Sequence, residues 1–149
     1  TVIKHIPGHG LAKSDSHIRT PYIYKNLNYL KKNDFKVFKN KKSIFAMTAH
    51  IIFSKIDPTY TVTHSKKLIN IIRNEINFKN LIISDDISMK SLKFSILTNT
   101  QKAFQAGCNL VLHCNARMSE MKVVAENSPK LDNFLLKKTL EFYKLVNIK

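Results

Sequence analysis

Short runs of apolar residues alternate along this chain with longer segments in which apolar residues recur at helical spacing. The strand-like runs include residues 42–53, 81–84 and 109–114, and a segment with helical periodicity follows each of them. Continuous apolar runs are typical of strands buried on both faces of a sheet, and helical crossovers join such strands in parallel. The alternation therefore predicts an α/β protein with a parallel sheet that helices cover on both faces.

The predicted helices are bounded by residues that commonly begin or end a helix. Ser65 is a candidate N-cap, Asn77 stands where a helix often ends on a left-handed residue, and Gly107 closes the helix that precedes it. The predicted helices cover residues 22–45, 66–76, 91–107, 118–127 and 132–146.

Polar residues occur at the points where the predicted strands end. Because parallel strands place their carboxyl ends at one edge of a sheet, and chemistry in such folds takes place at that edge, these residues are expected to share a site. A chance arrangement would scatter them. In chain order they are His5, His50, Asp85, Asp86, His113 and Asn115.

The first histidines of the chain lie in a segment with sequence KHIPGHGLAKSDSH, residues 4–17. His5 and His9 have the i, i+4 spacing of a helical zinc pair. Pro7 and Gly8 lie between them, and a Pro-Gly pair does not keep a helix in register, so a helical zinc site is excluded. A zinc site built from a loop is the less favoured alternative, and we assign no metal ligand.

The same segment places Asp15 two residues before His17. At this spacing the carboxylate can hold the imidazole in one tautomer and raise its basicity, as the carboxylate of a catalytic dyad does. We therefore predict that the two residues act as a pair. For His9 and His64, a position in a surface turn is the simpler interpretation.

A formal net charge of +15 raises the question of whether the chain binds nucleic acid. Only three of its 25 cationic residues are arginines, and the lysines are scattered over the whole length. Nucleic-acid readers depend on the bidentate guanidinium group of arginine, and no recognisable nucleic-acid-binding motif is present. The charge therefore favours a solvated basic surface, and we expect neither a nucleic-acid nor a membrane partner.

The sequence shows neither a secretion signal nor an apolar run of the roughly 20 residues that a membrane-spanning helix needs. Cys108 and Cys114 are isolated in apolar surroundings. In a protein that is not secreted, such cysteines are expected to be buried and reduced. We therefore expect a cytoplasmic protein without disulfides.

Four motifs carry a family resemblance: KHIPGHG-x4-DSH, AMTAHIIFSKIDP, LIISDDISM and QAGCNLVLHCN. In this order they resemble the bacterial β-N-acetylglucosaminidases of glycoside hydrolase family 3, above all the cytoplasmic enzymes of peptidoglycan recycling. A complete (β/α)8 barrel takes about 250 residues. The resemblance therefore implies an α/β fold consisting of the C-terminal half of a TIM-type barrel, strands five to eight. We expect residues 1–149 to be one partial domain of a longer chain.

The resemblance also implies catalytic roles. Asp85, the first carboxylate of the SDD motif, corresponds to the nucleophile that forms a covalent glycosyl-enzyme intermediate. His17 corresponds to the general acid/base, and Asp15 is its dyad partner. Most retaining glycosidases use two carboxyl groups, so a histidine in this role departs from the common scheme. An imidazole that titrates near neutrality is chemically suited to both proton transfers.

Substrate binding is assigned to Lys4 and His5, which the resemblance places on the sugar hydroxyls, and to Met89, which is interpreted as a wall of the sugar pocket. Asp86 is interpreted as a structural partner of loop backbone and not as a second catalytic carboxylate. His50 is interpreted as a support of the site.

His113 stands where the family usually has an apolar residue, so it is given no role.

The implied activity is that of a retaining exo-β-N-acetylglucosaminidase that removes terminal N-acetylglucosamine from muropeptides, without a cofactor. Activity is expected to require the missing N-terminal half of the barrel. A catalytically inactive half-barrel remnant, or an accessory chain that binds a partner, is the alternative. A β-glucosidase of the same family is a weaker alternative, because the DSH dyad argues against it.

Overall fold

The computed structural model describes residues 1–146, in which four parallel strands form the main sheet in the order β1-β3-β5-β6. Phe45 pairs with Val2 on one side and with Leu81 on the other. A small second sheet pairs β2 with β4, also in parallel. The predicted parallel α/β sheet is confirmed. The strands are β1 (Val2–Ile6), β2 (Tyr22–Ile23), β3 (Phe45–Thr48), β4 (Ile52–Phe53), β5 (Leu81–Asp86) and β6 (Leu110–Leu112).

Within the described residues, five α-helices connect or follow these strands, together with two short 3₁₀ turns at Phe35–Phe38 and Val62–His64. The helix predicted over 91–107 begins only at Ile96, because the Ser95 side chain accepts a hydrogen bond from the Thr98 amide and caps the helix there. The helices are α1 (Leu27–Lys32), α2 (Lys66–Asn74), α3 (Ile96–Ala106), α4 (Met118–Glu126) and α5 (Asn133–Val146).

The long helix predicted over residues 22–45 is wrong. Only six residues form α1, and a 3₁₀ turn follows. Asn26 caps α1 by accepting from the Tyr29 amide, and the Asn33 side chain donates to the Tyr29 carbonyl at its end. Asparagine side chains compete with the helix for backbone groups, so an Asn-rich segment breaks into short pieces.

The predicted start of α2 at Ser65 and the predicted end of α3 at Gly107 are confirmed, whereas α2 ends at Asn74, two residues before the predicted Ile76. The Ser65 hydroxyl accepts a hydrogen bond from the Leu68 amide at 3.2 Å. Asn77 has φ +62° and Gly107 has φ +113°, both in the left-handed region. A Cβ atom at Gly107 would also lie 3.0 Å from Ile69 Cγ2, so the close packing of α2 against this turn depends on glycine.

The hydrophobic core lies on one face of the main sheet. It joins Ala46 and Ile82 from the sheet to Leu68 and Ile72 on α2 and to Ala103 on α3, all of which are fully buried. Full burial of a leucine or isoleucine side chain stabilises a fold by about 1.5–3 kcal/mol.

The opposite face of the sheet is only partly covered by the described residues, so the prediction of cover on both faces is wrong. On β3, Ala46 and Thr48 are buried, whereas the alternate residues Phe45 and Met47 are half-buried. All of β6 is half-buried, although its apolar run predicted a buried strand. Helix α5 reaches this sheet near the start of β3, where the Phe142 and Phe45 rings lie 5.2 Å apart. The crossover helices α2 and α3 both contribute buried residues to the core.

The two cysteines differ in their surroundings. Cys108 is buried, and burial raises the pKa of its thiol to about 12. Cys114 is exposed, so its predicted burial is wrong. It follows the end of β6, where the partly covered face of the sheet leaves it open to solvent.

Within residues 1–146, no helix has both the length and the apolar character needed to cross a membrane.

Candidate active site

The polar residues predicted at the strand ends lie along one edge of the main sheet. His5 is the fourth residue of β1, Asp85 and Asp86 end β5, and His113 directly follows β6. His50 lies two residues beyond the end of β3. Since β1, β3, β5 and β6 are consecutive parallel neighbours, their carboxyl ends bring these groups to one rim.

Asp85 and His5 form the central contact of this rim. The Asp85 Oδ2 and His5 Nε2 atoms are 3.5 Å apart, and the Asp85 side chain is 15% exposed. Asp85 Oδ1 accepts a hydrogen bond from the Asp86 amide at 2.9 Å. Burial lowers the pKa of His5, the negative charge of Asp85 opposes this, and the positive charge of His9 adds to it. The imidazole beside Asp85 therefore favours its neutral form.

Asp15 and His17 form the predicted pair. Asp15 Oδ1 lies 2.9 Å from His17 Nδ1 and accepts a hydrogen bond from the His17 backbone amide at 2.8 Å. Both hydrogen bonds lower the pKa of Asp15, and the one from the backbone amide has the larger effect. An ionised Asp15 only accepts, so Nδ1 carries a proton and Nε2 is the nitrogen that can exchange one with a substrate.

The two pairs are near each other but separate. His9 lies between them: its ring centre is 5.5 Å from that of His5, and its Nε2 atom is 3.4 Å from the hydroxyl of Ser16, the residue between Asp15 and His17. The His17 side chain is 76% exposed, and in the part of the chain that the structure describes it makes no ion pair or hydrogen bond with Asp85. The structure thus brings Asp15 to His17 and His5 to Asp85, and it leaves the pairs apart.

Glycines shape the segment that carries the histidines. Gly8 has φ +153°, and a Cβ atom there would lie 2.7 Å from Asp34 Cβ, so only glycine allows this approach. The turn lets the His9 ring pack 5.5 Å from the His5 ring. The Lys4–His5 and Ile6–Pro7 peptide bonds are both cis, a feature for which the sequence analysis offered no signal.

Asp86 holds the loops around Asp85 in place. Its Oδ1 atom accepts hydrogen bonds from the Ser88 amide at 3.0 Å and from the Cys114 amide at 3.1 Å. The Ser88 hydroxyl donates to the same carboxylate at 2.7 Å. These contacts agree with the interpretation of Asp86 as a structural partner of loop backbone.

His50 is a buried support beneath Asp86. Its Nε2 atom lies 3.0 Å from the Asp86 carbonyl oxygen, and a carbonyl only accepts, so Nε2 donates. Burial lowers the pKa of His50, and the hydrogen bond to the Asp86 carbonyl opposes this. In the neutral ring, Nδ1 then accepts from the Thr63 hydroxyl at 2.7 Å, and Thr63 accepts from Thr48 at 2.8 Å. The sequence analysis missed Thr48 and Thr63, since two threonines 15 positions apart form no recognisable motif.

His113 has a partner that the sequence analysis also missed. Its Nε2 atom lies 2.7 Å from Glu120 Oε2, on the first turn of α4. The pKa of Glu120 is lowered, and this hydrogen bond is the largest cause. The pair ties the end of β6 to the following helix.

Lys4 and Met89 occupy different surroundings. Lys4 is exposed and lines an open cleft with His5, His9 and Asp34. Met89 is buried beside the end of β5, where its amide donates to the Asp86 carbonyl. It does not line the cleft that holds Lys4. The roles of both residues in sugar binding stay predictions.

Fold and site together define an α/β protein whose polar groups gather at the carboxyl edge of a parallel sheet. The model of the glycosyl hydrolase family 3 N terminal domain matches residues 1–137, and the chain belongs to that family.

Curated relatives include a beta-hexosaminidase from Psychromonas ingrahamii, 33% identical over 146 residues, an alignment covering 94% of this chain and 41% of the relative. Another, from Nitrosomonas eutropha, is 38% identical over 117 residues, covering 75% of this chain and 34% of the relative. The chain therefore spans less than half of the length of either relative.

Solved structures of two other proteins are also similar to this chain. NagZ from Neisseria gonorrhoeae matches with a TM-score of 0.80 and 26% identity, covering 99% of this chain and 46% of NagZ. CbsA from Thermotoga neapolitana matches with a TM-score of 0.76 and 31% identity, covering 95% of this chain and 31% of CbsA.

Proposed function

We propose that the protein to which these residues belong is a retaining exo-β-N-acetylglucosaminidase that removes terminal N-acetylglucosamine from muropeptides in peptidoglycan recycling. Membership of family 3 and relatives named beta-hexosaminidase support a glycoside hydrolase acting on N-acetylglucosaminides. The observation that carries the assignment is the contact between the Asp85 carboxylate and His5, together with the Asp15–His17 pair on the loop that follows β1.

In the first step, an Asp85 carboxylate oxygen attacks the anomeric carbon of the sugar. A bond forms between that oxygen and the anomeric carbon, and the glycosidic bond breaks. The imidazolium of His17 gives its Nε2 proton to the departing oxygen. Asp15 accepts from Nδ1, which leaves Nε2 as the nitrogen that exchanges the proton.

In the second step, water attacks the anomeric carbon of the glycosyl-enzyme. His17 Nε2, now unprotonated, takes a proton from the water, and the bond to Asp85 breaks to restore the carboxylate. One imidazole thus serves as acid and then as base. Two displacements at one carbon give net retention of configuration.

The sugar is held by Lys4 and His5 in this scheme. The Lys4 ammonium group donates to hydroxyl oxygens, and the neutral His5 ring can both donate and accept. Both residues line the same open cleft on the carboxyl side of β1, which supports the assignment.

The main sheet is proposed to be the C-terminal half, strands five to eight, of a (β/α)8 barrel. Three observations support this: the strands are all parallel, helices α2 and α3 cross over on one face, and the other face is partly open. The interior of such a barrel draws side chains from strands all round the ring. The remaining strands would then come from the part of the relatives that this chain does not span.

The test uses protein from the complete reading frame that contains residues 1–149. We expect hydrolysis of an aryl N-acetyl-β-glucosaminide and much slower hydrolysis of the matching β-glucoside. Asp85→Asn should abolish turnover, whereas Asp132→Asn, which removes a carboxylate at the start of α5, should not. A slow fluorinated sugar should label Asp85.

Label on Asp86, or equal turnover of the glucoside, would overturn the assignment. A well-folded protein without turnover of either substrate would favour an inactive or accessory chain.

A further inference from the structure

The Asp15–His17 pair lies on an exposed segment that has one buried residue. In the described segment 13–19, Ser16 alone is buried, at 6% exposed, whereas Asp15 and His17 on either side of it are exposed. The Asp15 carbonyl accepts hydrogen bonds from the amides of the third and fourth residues after it, at 3.2 and 3.1 Å, so the segment forms a tight turn. Because Ser16 stands between the two members of the pair, a contact that fixes Ser16 also limits where Asp15 and His17 can lie.

The side chain of Ser16 contacts His9. The Ser16 Oγ and His9 Nε2 atoms are 3.4 Å apart. A hydroxyl group both donates and accepts, so it can pair with an imidazole nitrogen whether or not that nitrogen carries a proton. The contact therefore joins the turn that carries Asp15 and His17 to the turn that directly follows β1.

His9 is itself held against the rim of the main sheet. Its half-buried ring lies 5.5 Å from the His5 ring, measured between the ring centres. The preceding residue, Gly8, packs so closely on Asp34 that a Cβ atom there would lie 2.7 Å from Asp34 Cβ. The His9 ring thus has His5 beside it and Ser16 at its Nε2 atom.

A second contact fixes the far end of the same segment. The Thr20 hydroxyl donates to the Ser91 carbonyl at 2.6 Å, which joins the segment to the loop after β5. Thr20 lies three residues beyond His17, whereas the His9–Ser16 contact falls between the two members of the pair. The position of the pair therefore depends more directly on His9.

We propose that His9 is a positioning residue, which sets the location of the Asp15–His17 pair relative to His5 and Asp85. In the proposed function, on which this role rests, His17 exchanges a proton with the leaving group of a sugar that His5 holds and Asp85 attacks. Such a transfer requires the imidazole within hydrogen-bond distance of the leaving oxygen. Misplacement of a reacting group by about 1 Å can cost about a hundredfold in rate.

The test uses protein from the complete reading frame and two N-acetyl-β-glucosaminides, an alkyl one with a poor leaving group and a nitrophenyl one with an activated leaving group. Ser16→Ala should lower kcat/KM for the alkyl substrate about tenfold or more, through kcat and with little change in KM, because the groups that hold the sugar stay in place. For the nitrophenyl substrate, whose leaving group needs no proton, kcat/KM should fall by less than about twofold. Retained turnover of this substrate also shows that the variant is folded.

His9 is tested with two variants. His9→Ala should lower kcat/KM for the alkyl substrate, and His9→Gln should retain more of it, because the side-chain amide of glutamine can still reach the Ser16 hydroxyl. The loss in His9→Ala combined with Ser16→Ala should be smaller than the product of the two single losses, since both remove one contact. Ser14→Ala, which removes a half-buried serine hydroxyl two positions before Ser16, is the matched control and should leave kcat/KM for both substrates unchanged.

Backbone ¹⁵N relaxation follows the turn without an activity assay. The order parameters of the Asp15 and His17 amides should fall in Ser16→Ala toward the values below about 0.6 of flexible backbone, and Ser14→Ala should leave them unchanged. Unchanged order parameters in Ser16→Ala, or equal losses of kcat/KM for the two substrates, would overturn the role of His9. A fall in the order parameters in a protein whose wild type hydrolyses neither substrate would uphold the His9–Ser16 anchor and overturn the proposed function.

Discussion

His5 on β1 and Asp85 on β5 approach to 3.5 Å although β3 lies between their strands. Strands two places apart in a sheet are about 10 Å apart, so the two side chains meet over the carboxyl end of the shorter β3. The contact therefore depends on where β3 ends, at Thr48. His50, just beyond that end, donates a hydrogen bond to the Asp86 carbonyl and so fixes the end of β5 relative to β3.

The pKa of His5 provides a test of the His5–Asp85 contact that needs no activity assay. Asp85→Asn should lower the pKa of His5 further, because it removes the negative charge that opposes the effect of burial. His9→Gln should raise the pKa of His5, because it removes a positive charge that lowers it. Imidazole NMR titrations measure both. Shifts of the same sign in the two variants would contradict the assigned contacts.

The general acid/base role of His17 predicts a dependence on the leaving group. His17→Ala should slow hydrolysis of a substrate with a poor leaving group by about 10²–10⁴-fold. An activated aryl leaving group departs without a proton, so its release should slow much less. Pre-steady-state kinetics with both substrates separate the two steps.

Azide should restore the second step in His17→Ala, because this small anion attacks the glycosyl-enzyme without a general base. The product would be the β-glycosyl azide. Equal losses for both leaving groups, with no azide product, would show that His17 only positions the substrate.

Gly8 and Gly10 give a matched pair of substitutions. Gly8→Ala places a Cβ atom 2.7 Å from Asp34 Cβ at φ +153°, so it should lower the free energy of unfolding by about 1–3 kcal/mol. In Gly10→Ala the new Cβ atom would lie 3.6 Å from Asp34 Oδ1, an ordinary contact. This substitution should change the free energy of unfolding by well under about 1 kcal/mol. Urea unfolding measures both, and equal effects would contradict the packing of Asp34 on Gly8.

His64 is only 7% exposed, so the prediction that it lies in a surface turn is wrong. Its burial is expected to make the fold less stable in acid. Its pKa is about 4 in the folded protein, against 6.5 for a free imidazole, so the unfolded chain binds more protons between these values. The stability that neutral His64 allows is complete above pH 6.5 and is lost as the pH falls to about 4. The loss from this residue is about 3 kcal/mol, at 1.36 kcal/mol for each pKa unit.

Unfolding free energies at pH 7 and pH 4.5 test this. His64→Gln cannot take up the proton and should reduce the pH dependence, whereas His17→Gln, which changes an exposed side chain, should affect it less. A pH dependence that is unchanged in His64→Gln would contradict the burial of His64.

The polypeptide of residues 1–149 produced alone should self-associate. Within the described residues, β1 and β6 are the unpaired edges of the main sheet, and α5 exposes Leu136, Leu140 and Tyr143. Unpaired strand edges and exposed apolar side chains both favour association. Sedimentation should show oligomers that Leu136→Glu with Leu140→Glu reduces. A monodisperse, cooperatively unfolding monomer would contradict this expectation.

Local sequence determined the elements. Apolar periodicity identified α2, α4 and α5, and capping preferences placed Ser65, Asn77 and Gly107 correctly, because each depends on residues within one or two turns. The prediction from apolar periodicity is wrong over residues 22–45. Apolar spacing there suggested a helix, but asparagine side chains compete with the helix for backbone groups.

The sequence also determined which polar residues gather at the carboxyl edge of the sheet, since parallel strands must bring their carboxyl ends to one edge. Only the tertiary structure decided which of them touch. The His5–Asp85 contact and the His50–Thr63 hydrogen bond join residues 80 and 13 positions apart, and they depend on strand register and strand length. The open face of the sheet could not be predicted either, because burial is set by whatever packs across the sheet and not by a residue's neighbours in sequence.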